Sequence, residues 1–337
     1  MNTTDAPRIL IIRLSAIGDC VMASPLARAL RAHFPTAHIA WAVRDKSRAV
    51  VEGNPFIDEI IPWHGGLSGL IPAVKLVRAG RFDVVLETQG LLKSTLLMAL
   101  SGAPQKLVSP RFGRLTKLLS TRVIEHPPGW IYPPERYLYW AHALGAPIPD
   151  RALLTVPQSD ADVELAAQFL ASHNVGENEL LIGINPGCSA PARKWDVANF
   201  AAAARLLLAD FPDARLVLLG GPQDRDDTDG LRAELPSDKI IDAAGALPLR
   251  ASATLIGRCA VMLTNDTGPM HLAVAMQTPV VAICGPIKAA HRLPLHYPEM
   301  RHVGLETPSG RVEDVTPEAV AQAARQILGA TREAKVR

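Results

Sequence analysis

Short apolar runs alternate with stretches of helical spacing along almost the whole chain. Residues 8–14 (RILIIRL), 38–43 (HIAWAV) and 82–87 (FDVVLE) are rich in β-branched side chains and predict buried strands, with a weaker strand at 106–108. Helical patterns at Val21–His33, 69–79 and 91–101 separate them. The same grammar restarts after residue 180. Strands are predicted at 180–187, 214–221, 239–245, 260–266 and 279–286, and helices at Val197–Phe211, Thr228–Leu235, Leu249–Arg258, Pro269–Met276 and Thr316–Leu328. Thr316 followed by Pro317 is a helix-start signal. Strand–helix alternation predicts an α/β chain with parallel sheets and helices on both faces. The rhythm breaks at 146–180, where one helix (159–173) stands between polar turns. Two Rossmann-like domains follow, at 1–165 and 175–337, with the last helix packing back towards the first domain.

Composition narrows the class. With 48% hydrophobic and 20% charged residues in 337, the chain is globular and neither disordered nor collagen-like. Cys20, Cys188, Cys259 and Cys284 lie far apart without a CxxC spacing, which argues against a disulfide framework or structural zinc and fits a reducing compartment. No apolar run reaches the length of a membrane span, and the first residues show no basic-plus-apolar leader, so the expected location is cytoplasmic. Residues 1–150 hold 17 Lys and Arg against 11 Asp and Glu, a net of +6, leaving 18 against 22 in the remainder. The first half is therefore expected to meet an anionic partner, although a solvated surface accounts equally for the asymmetry.

Parallel sheets bind ligands beyond the carboxyl ends of their strands, so the turns after each strand carry the chemistry. Ser15-Ala16-Ile17-Gly18-Asp19 follows the first strand and opens a helix, where Asp19 reads either as a functional carboxylate or as a helix cap. Asn185-Pro186-Gly187-Cys188-Ser189, followed by Arg193-Lys194-Trp195, is a turn with nearby cations suited to an anion. It lacks both the Walker spacing and GxGxxG, which argues against a P-loop and against NAD. Asn265-Asp266-Thr267-Gly268-Pro269-Met270-His271 ends a strand and starts a helix whose free N–H groups suit a diphosphate; a capped helix with a satisfied histidine is the alternative. Gly220–Asp224 offers acceptors for ribose hydroxyls, and Glu87–Ser94 ends another strand in polar side chains. Lys106, Arg111, Arg114, Lys117 and Arg122, interleaved with leucines, suit either an anionic membrane surface or an ordinary amphipathic helix. Few aromatics interleave there, which disfavours nucleic acid.

Three segments carry a resemblance. ILIIRLSAIGDCVMASPLARALRAHFP, NPGCSAPARKWDVANFAAAARLL and LTNDTGPMHLAVAMQTPVVAICGP, in that order, resemble the bacterial lipopolysaccharide heptosyltransferases, glycosyltransferase family 9 enzymes of the GT-B fold. ETQGLLKS is similar to the segment D-x-Q-G-L-x-K-S of heptosyltransferase I, the subfamily adding the first heptose.

The resemblance implies two Rossmann-like domains facing a central cleft, with the acceptor on the first and the nucleotide-sugar on the second. It implies inverting, metal-independent transfer from ADP-heptose to the Kdo sugar of a lipid A precursor, without cofactor, at the inner face of the inner membrane. Carried over residue by residue, Asp19 matches the catalytic base. The donor set is Ser189, Lys194 facing the diphosphate, Gln223 or Asp224 near the ribose, Asp266 at the sugar, Thr267 and Gly268 at the phosphates, and His271. The acceptor set is Ser15, Gly18, Gln89, Gly90, Lys93, Arg111, Arg114 and Lys117. After Gly285-Pro286 the family often continues T-D-P-x-R; here Ile287–Arg292 departs from it, and Glu87 replaces an aspartate. Alternatives are a family 9 transferase for another core position or sugar, a GT-B nucleotide-sugar epimerase, and a degenerate binding protein without turnover.

Overall fold

The computed structural model describes residues 6–129 and 132–336, and its internal contacts divide the chain into two units at Pro157/Gln158. The first unit runs β1 (Arg8–Ile12), α1 (Ile17–His33), β2 (His38–Arg44), α2 (Asp45–Arg48), β3 (Glu59–Trp63), α3 (Leu70–Ala79), β4 (Val84–Glu87), α4 (Leu92–Leu100), β5 (Gln105–Val108), α5 (Arg114–Leu118), β6 (Arg122–Val123) and α6 (Pro133–His142). Its six strands are parallel in the order β3-β2-β1-β4-β5-β6, with Ile9 of β1 opposite Ile39 on one side and Val84 on the other. Covered on both faces, the central strands read as continuous apolar runs rather than alternating ones. Leu10, Ile12, Ala40 and Val85 on one face pack against Ala73 and Val77 of α3 and Leu97 and Met98 of α4. Helix α1 packs with α6.

The second unit runs α7 (Asp160–Ser172), β7 (Leu181–Asn185), α8 (Val197–Asp210), β8 (Arg215–Leu218), α9 (Arg225–Ala233), β9 (Ile240–Asp242), α10 (Leu249–Arg258), β10 (Val261–Asn265), α11 (Gly268–Ala275), β11 (Val280–Ile283), β12 (Val303–Leu305) and α12 (Pro317–Val336). Its sheet is also six-stranded and parallel, in the order β12-β11-β10-β7-β8-β9. Counted within the unit, both sheets have the order 3-2-1-4-5-6. Each therefore reverses direction once, between β1 and β4 in the first and between β7 and β10 in the second. This is the α/β architecture expected from the sequence, built twice.

Several elements depart from the sequence expectations. Strand β3 was not foreseen, because Pro62 interrupts it; it lies at a sheet edge, where a missing N–H is tolerated. Helix α6 begins Pro133-Pro134, at first-turn positions that need no intrahelical donor. Helix α9 starts at Arg225, three residues before the expected Thr228. The basic stretch 106–122 is not one amphipathic helix: it is divided into β5, the five-residue α5 and β6. The helix expected at 159–173 is α7, which belongs wholly to the second unit, and its Ser159/Asp162 capping box is braced by Arg250 at 3.0 Å. Helix α12 packs on α8 and on β10–β12 of its own unit, and the Thr316 hydroxyl accepts the Ala319 N–H at 3.3 Å, as a cap.

Candidate functional site

The two reversal points are where side chains from neighbouring turns converge. In the first unit, β1 delivers Arg13 into the interior. Its Nη1 donates to the Thr88 carbonyl at 2.8 Å, its Nη2 meets Asp19 Oδ2 at 2.8 Å, and its guanidinium carbon lies 5.8 Å from the centre of the Tyr137 ring. Burial opposes the charge on Arg13, but Tyr137 and Asp19 outweigh it and raise its pKa above the ordinary value.

Asp19 sits in the first turn of α1, and its Oδ2 also accepts the Ala16 N–H at 3.2 Å. Both sequence readings of this residue therefore have a structural counterpart: one carboxylate oxygen caps the helix, and Oδ1 takes no hydrogen bond among the described residues. The side chain is 38% exposed. The neighbouring Cys20 thiol is buried, and burial pushes it up to about 12, so it is no nucleophile at neutral pH.

The β4 turn closes against the β1 turn. Gln89 Oε1 accepts the Leu14 N–H at 2.8 Å, and its Nε2 donates to Ser15 Oγ at 3.3 Å. Glu87 is fully buried and accepts the N–H groups of Gln89 and Gly90 at 2.9 Å. Burial raises its pKa although those N–H groups and Ser94 act in the opposite direction. Its role is to hold the turn. Gly90 has φ +76°, and a Cβ there would stand 2.5 Å from the Phe112 ring, so only glycine fits. Gly18 is buried in the first turn of α1, and Lys93 lies half-buried in that of α4. Through Phe112 the turn after β5 reaches the same rim. There Arg111 donates to the Gly129 carbonyl at 2.8 Å and Lys117 to that of Pro110 at 3.4 Å, while Arg114 is exposed.

In the second unit two buried asparagines stitch the reversal point together. Asn185 Nδ2 donates to the hydroxyls of Thr264 at 3.3 Å and Thr267 at 3.1 Å. Asn265 accepts the Trp195 N–H at 3.0 Å and donates to the Pro186 carbonyl at 2.8 Å. Thr267 and Gly268 then open α11, whose first-turn N–H groups have no intrahelical partner. His271 is buried one turn further on.

The Asp266 carboxylate is 4% exposed and is held by two arginines, Arg193 Nη1 and Arg292 Nε, each at 3.1 Å. The ammonium of Lys194, the residue expected to face the diphosphate, lies 2.6 Å from Asp227 Oδ1. Asp224 accepts the N–H groups of Gly221 and of the Gln223 side chain, each at 2.8 Å, and caps its own turn. A Cβ on Gly187 would lie 2.4 Å from the Asp224 carboxyl carbon, so the β7 and β8 turns touch at a glycine. Ser189 is exposed beside them. The structure thus gathers Ser15, Gly18, Asp19, Gln89 and Gly90 at one reversal point, and Asp266, Thr267 and Gly268 at the other. Arg114 and Lys117 lie on α5, outside the first cluster.

Sequence reasoning assigned no role to Arg13, Asp227 or Arg292. Arg13 reads as the tail of an apolar strand, and only its burial marks it. Arg292 lies 26 residues beyond Asp266 in the segment that departs from the family pattern. Among the described residues no group of three or more His, Cys, Asp or Glu is arranged to hold a metal ion.

Residues 73–314 match the sequence model of glycosyltransferase family 9 (heptosyltransferase). The chain is 26% identical to the lipopolysaccharide heptosyltransferase 2 of Salmonella typhimurium (strain LT2), over 95% of this chain and 98% of that one. Among solved structures it superposes on the ADP-heptose LPS heptosyltransferase II of E. coli with a TM-score of 0.79 and 25% identity, covering 96% of this chain and 99% of that one. A family 9 glycosyltransferase from Veillonella parvula superposes with a TM-score of 0.84 at 24% identity, over 98% and 99% of the two chains, and supports the fold.

Proposed function

The chain belongs to glycosyltransferase family 9, the heptosyltransferase family, and from that premise we propose that it transfers L-glycero-D-manno-heptose from ADP-heptose to the Kdo region of a lipid A precursor in lipopolysaccharide core assembly. The observation that carries this reading is a division of chemistry between the two reversal points. One presents an oriented carboxylate, Asp19 on Arg13; the other presents two arginines beside a helix N-terminus.

Asp19 Oδ1 takes the proton of the acceptor hydroxyl as that oxygen attacks the anomeric carbon from the face opposite the diphosphate. The bond from the anomeric carbon to the diphosphate oxygen breaks, ADP departs with the electron pair, and the configuration inverts. General-base help of this kind contributes about 10²–10⁴-fold. Negative charge grows on the leaving diphosphate, where fixed donors have most effect. Arg193, Arg292, Thr267 and the N–H of Gly268 supply them without a metal ion, and Lys194, Ser189, Gln223 and Asp224 border the nucleotide. Gln89, Gly90, Ser15, Gly18 and Lys93 border the acceptor.

The second reading is transfer to the next core position. The similar Salmonella typhimurium and E. coli proteins are named heptosyltransferase 2, whereas Glu87–Ser94 resembles the first-heptose subfamily. Product formation from ADP-heptose with Kdo-lipid A and, separately, with heptosylated lipid A decides between them, and no product with either ends the proposal. Such an acceptor places the enzyme peripherally at the inner leaflet of the inner membrane. No helix among the described residues is long and apolar enough to cross a bilayer, and Arg111, Arg114 and Lys117 supply charge for contact with anionic lipid.

A further inference from the structure

The exposed apolar side chains of this protein are unevenly placed. Of the large hydrophobics that reach solvent, Ile71, Leu76, Leu91, Leu92, Leu100, Leu115, Leu118 and Val123 all come from the α3–β6 segment of the first unit, with Leu118 79% exposed and Leu91 and Leu92 57% each. Scattered exposed leucines are ordinary; a concentration of them on adjacent elements marks a contact surface. Helices α3, α4 and α5 are neighbours, and Thr95 and Thr116 join α4 to α5 through a buried 2.8 Å hydrogen bond. Ala73 and Val77 of α3 and Leu97 and Met98 of α4 cover one side of the sheet, and the exposed leucines of these helices lie away from that core.

The charge of the same segment is one-sided. Residues 64–124 hold nine Lys and Arg against two acids, Asp83 and Glu87. Glu87 is fully buried and Asp83 half-buried, so the exposed charge of the segment is mainly positive, with the exposed Glu125 just beyond its end. Exposed leucines among an excess of cations fit a surface that is anionic outside and apolar beneath. A small acidic solute would use the cations and leave the leucines wet.

We propose that the outer face of α3, α4 and α5 docks on an anionic lipid bilayer, with Leu91, Leu92, Leu115 and Leu118 entering the acyl boundary. This extends the proposed peripheral association, which rests on charge alone, and it depends on the lipid-acceptor reading only for its purpose. Leu91 and Leu92 directly follow the Gln89-Gly90 turn, and Phe112 touches Gly90, so docking brings the candidate acceptor turn to the lipid surface. Charge-driven adsorption disappears in high salt, whereas inserted leucines leave a fraction that persists.

The test uses the full chain, with sedimentation on vesicles of phosphatidylglycerol and phosphatidylcholine at low salt and at ~0.5 M salt. Wild type binds under both conditions, more weakly in salt. Leu115→Ser with Leu118→Ser weakens binding by at least about tenfold and removes the salt-resistant fraction. Leu165→Ser on α7, also exposed, binds as wild type. An absence of wild-type binding at low salt, complete loss in salt, or an unchanged double variant overturns the proposal. So does self-association through this face without lipid binding. Transfer to a deacylated, soluble acceptor separates the two readings. If that transfer is absent while vesicle binding remains leucine-dependent, the docking surface stands and the proposed function fails.

Discussion

Arg13 Nη2 and Asp19 Oδ2 lie 2.8 Å apart, and the same carboxylate oxygen accepts the Ala16 N–H. Two fixed donors hold one oxygen, the other takes no hydrogen bond among the described residues, and the side chain is 38% exposed, an arrangement that suits a proton acceptor. Asp19→Ala is expected to lower kcat by about 10²–10⁴-fold with ADP affinity unchanged. It also removes a cap, at about 1 kcal/mol of stability. Steady-state kinetics beside calorimetric ADP binding checks both. A folded variant with wild-type kcat removes Asp19 from the mechanism.

In the proposed mechanism Arg13 is a positioning residue, because it meets Asp19 and not the reacting atoms. Arg13→Ala should lower kcat by about 10²-fold through misplacement, without altering donor KM. Arg13→Lys should recover only part of that loss, since a lysine cannot hold Thr88 and Asp19 in one rigid fork. Equal loss in kcat and in thermal stability for both variants would mean that Arg13 merely holds the fold.

Gly90→Ala meets two penalties, the positive φ and the 2.5 Å approach to Phe112. A destabilisation of about 1–3 kcal/mol is expected. Phe112→Ala in the same chain should relieve the clash but not the backbone cost, so denaturant melts of the double variant should recover only part of the loss relative to Phe112→Ala alone.

His302 gives the second unit an acid-sensitive point. Its Nδ1 accepts the Val280 N–H at 3.2 Å at the start of β11, and burial lowers its pKa to about 4. The folded state thus favours the neutral ring. The unfolded chain binds the extra proton below about 6.5, so stability falls as pH drops from about 6.5 to about 4 and is fully present above that window. His302→Gln should flatten this limb in melting curves across pH 4–7. An unchanged limb would assign the acid loss to other groups.

The strand-end turns were legible in the sequence because each follows an apolar run and carries glycine or hydroxyl residues. Asp19, Gln89, Asp266 and Thr267 stand out that way. What the sequence hid was direction. Lys194 and Arg193 are neighbours with the same charge, and only the folded chain separates them, pairing one with Asp227 and the other with Asp266. Arg13 reads as the last residue of a strand, yet it is buried and pairs with Asp19. In the fold, β3 and α6 were missed because their prolines read as breakers, whereas an edge strand and a first helical turn both accept proline.

The pairing of Asp266 with Arg193 and Arg292 predicts a ranking of donor-side cations different from the one the sequence suggests. Lys194 lies 2.6 Å from Asp227, so its charge is largely answered within the protein. The two arginines share one carboxylate and retain a net positive charge beside the first turn of α11. Arg193→Ala and Arg292→Ala should each weaken ADP binding by about 10–100-fold, the range for a lost charge-assisted contact. Lys194→Ala should cost less than either. The loss should be far smaller for adenosine, which carries no phosphate, and calorimetry with both ligands measures the difference. Asp266→Asn leaves two arginines without their shared anion, and both thermal stability and ADP affinity should fall as they lose their fixed positions. A Lys194→Ala variant that loses more ADP affinity than Arg193→Ala, or an Arg292→Ala variant that binds as wild type, would return the diphosphate contact to Lys194 and leave the Asp266 cluster as a structural bolt.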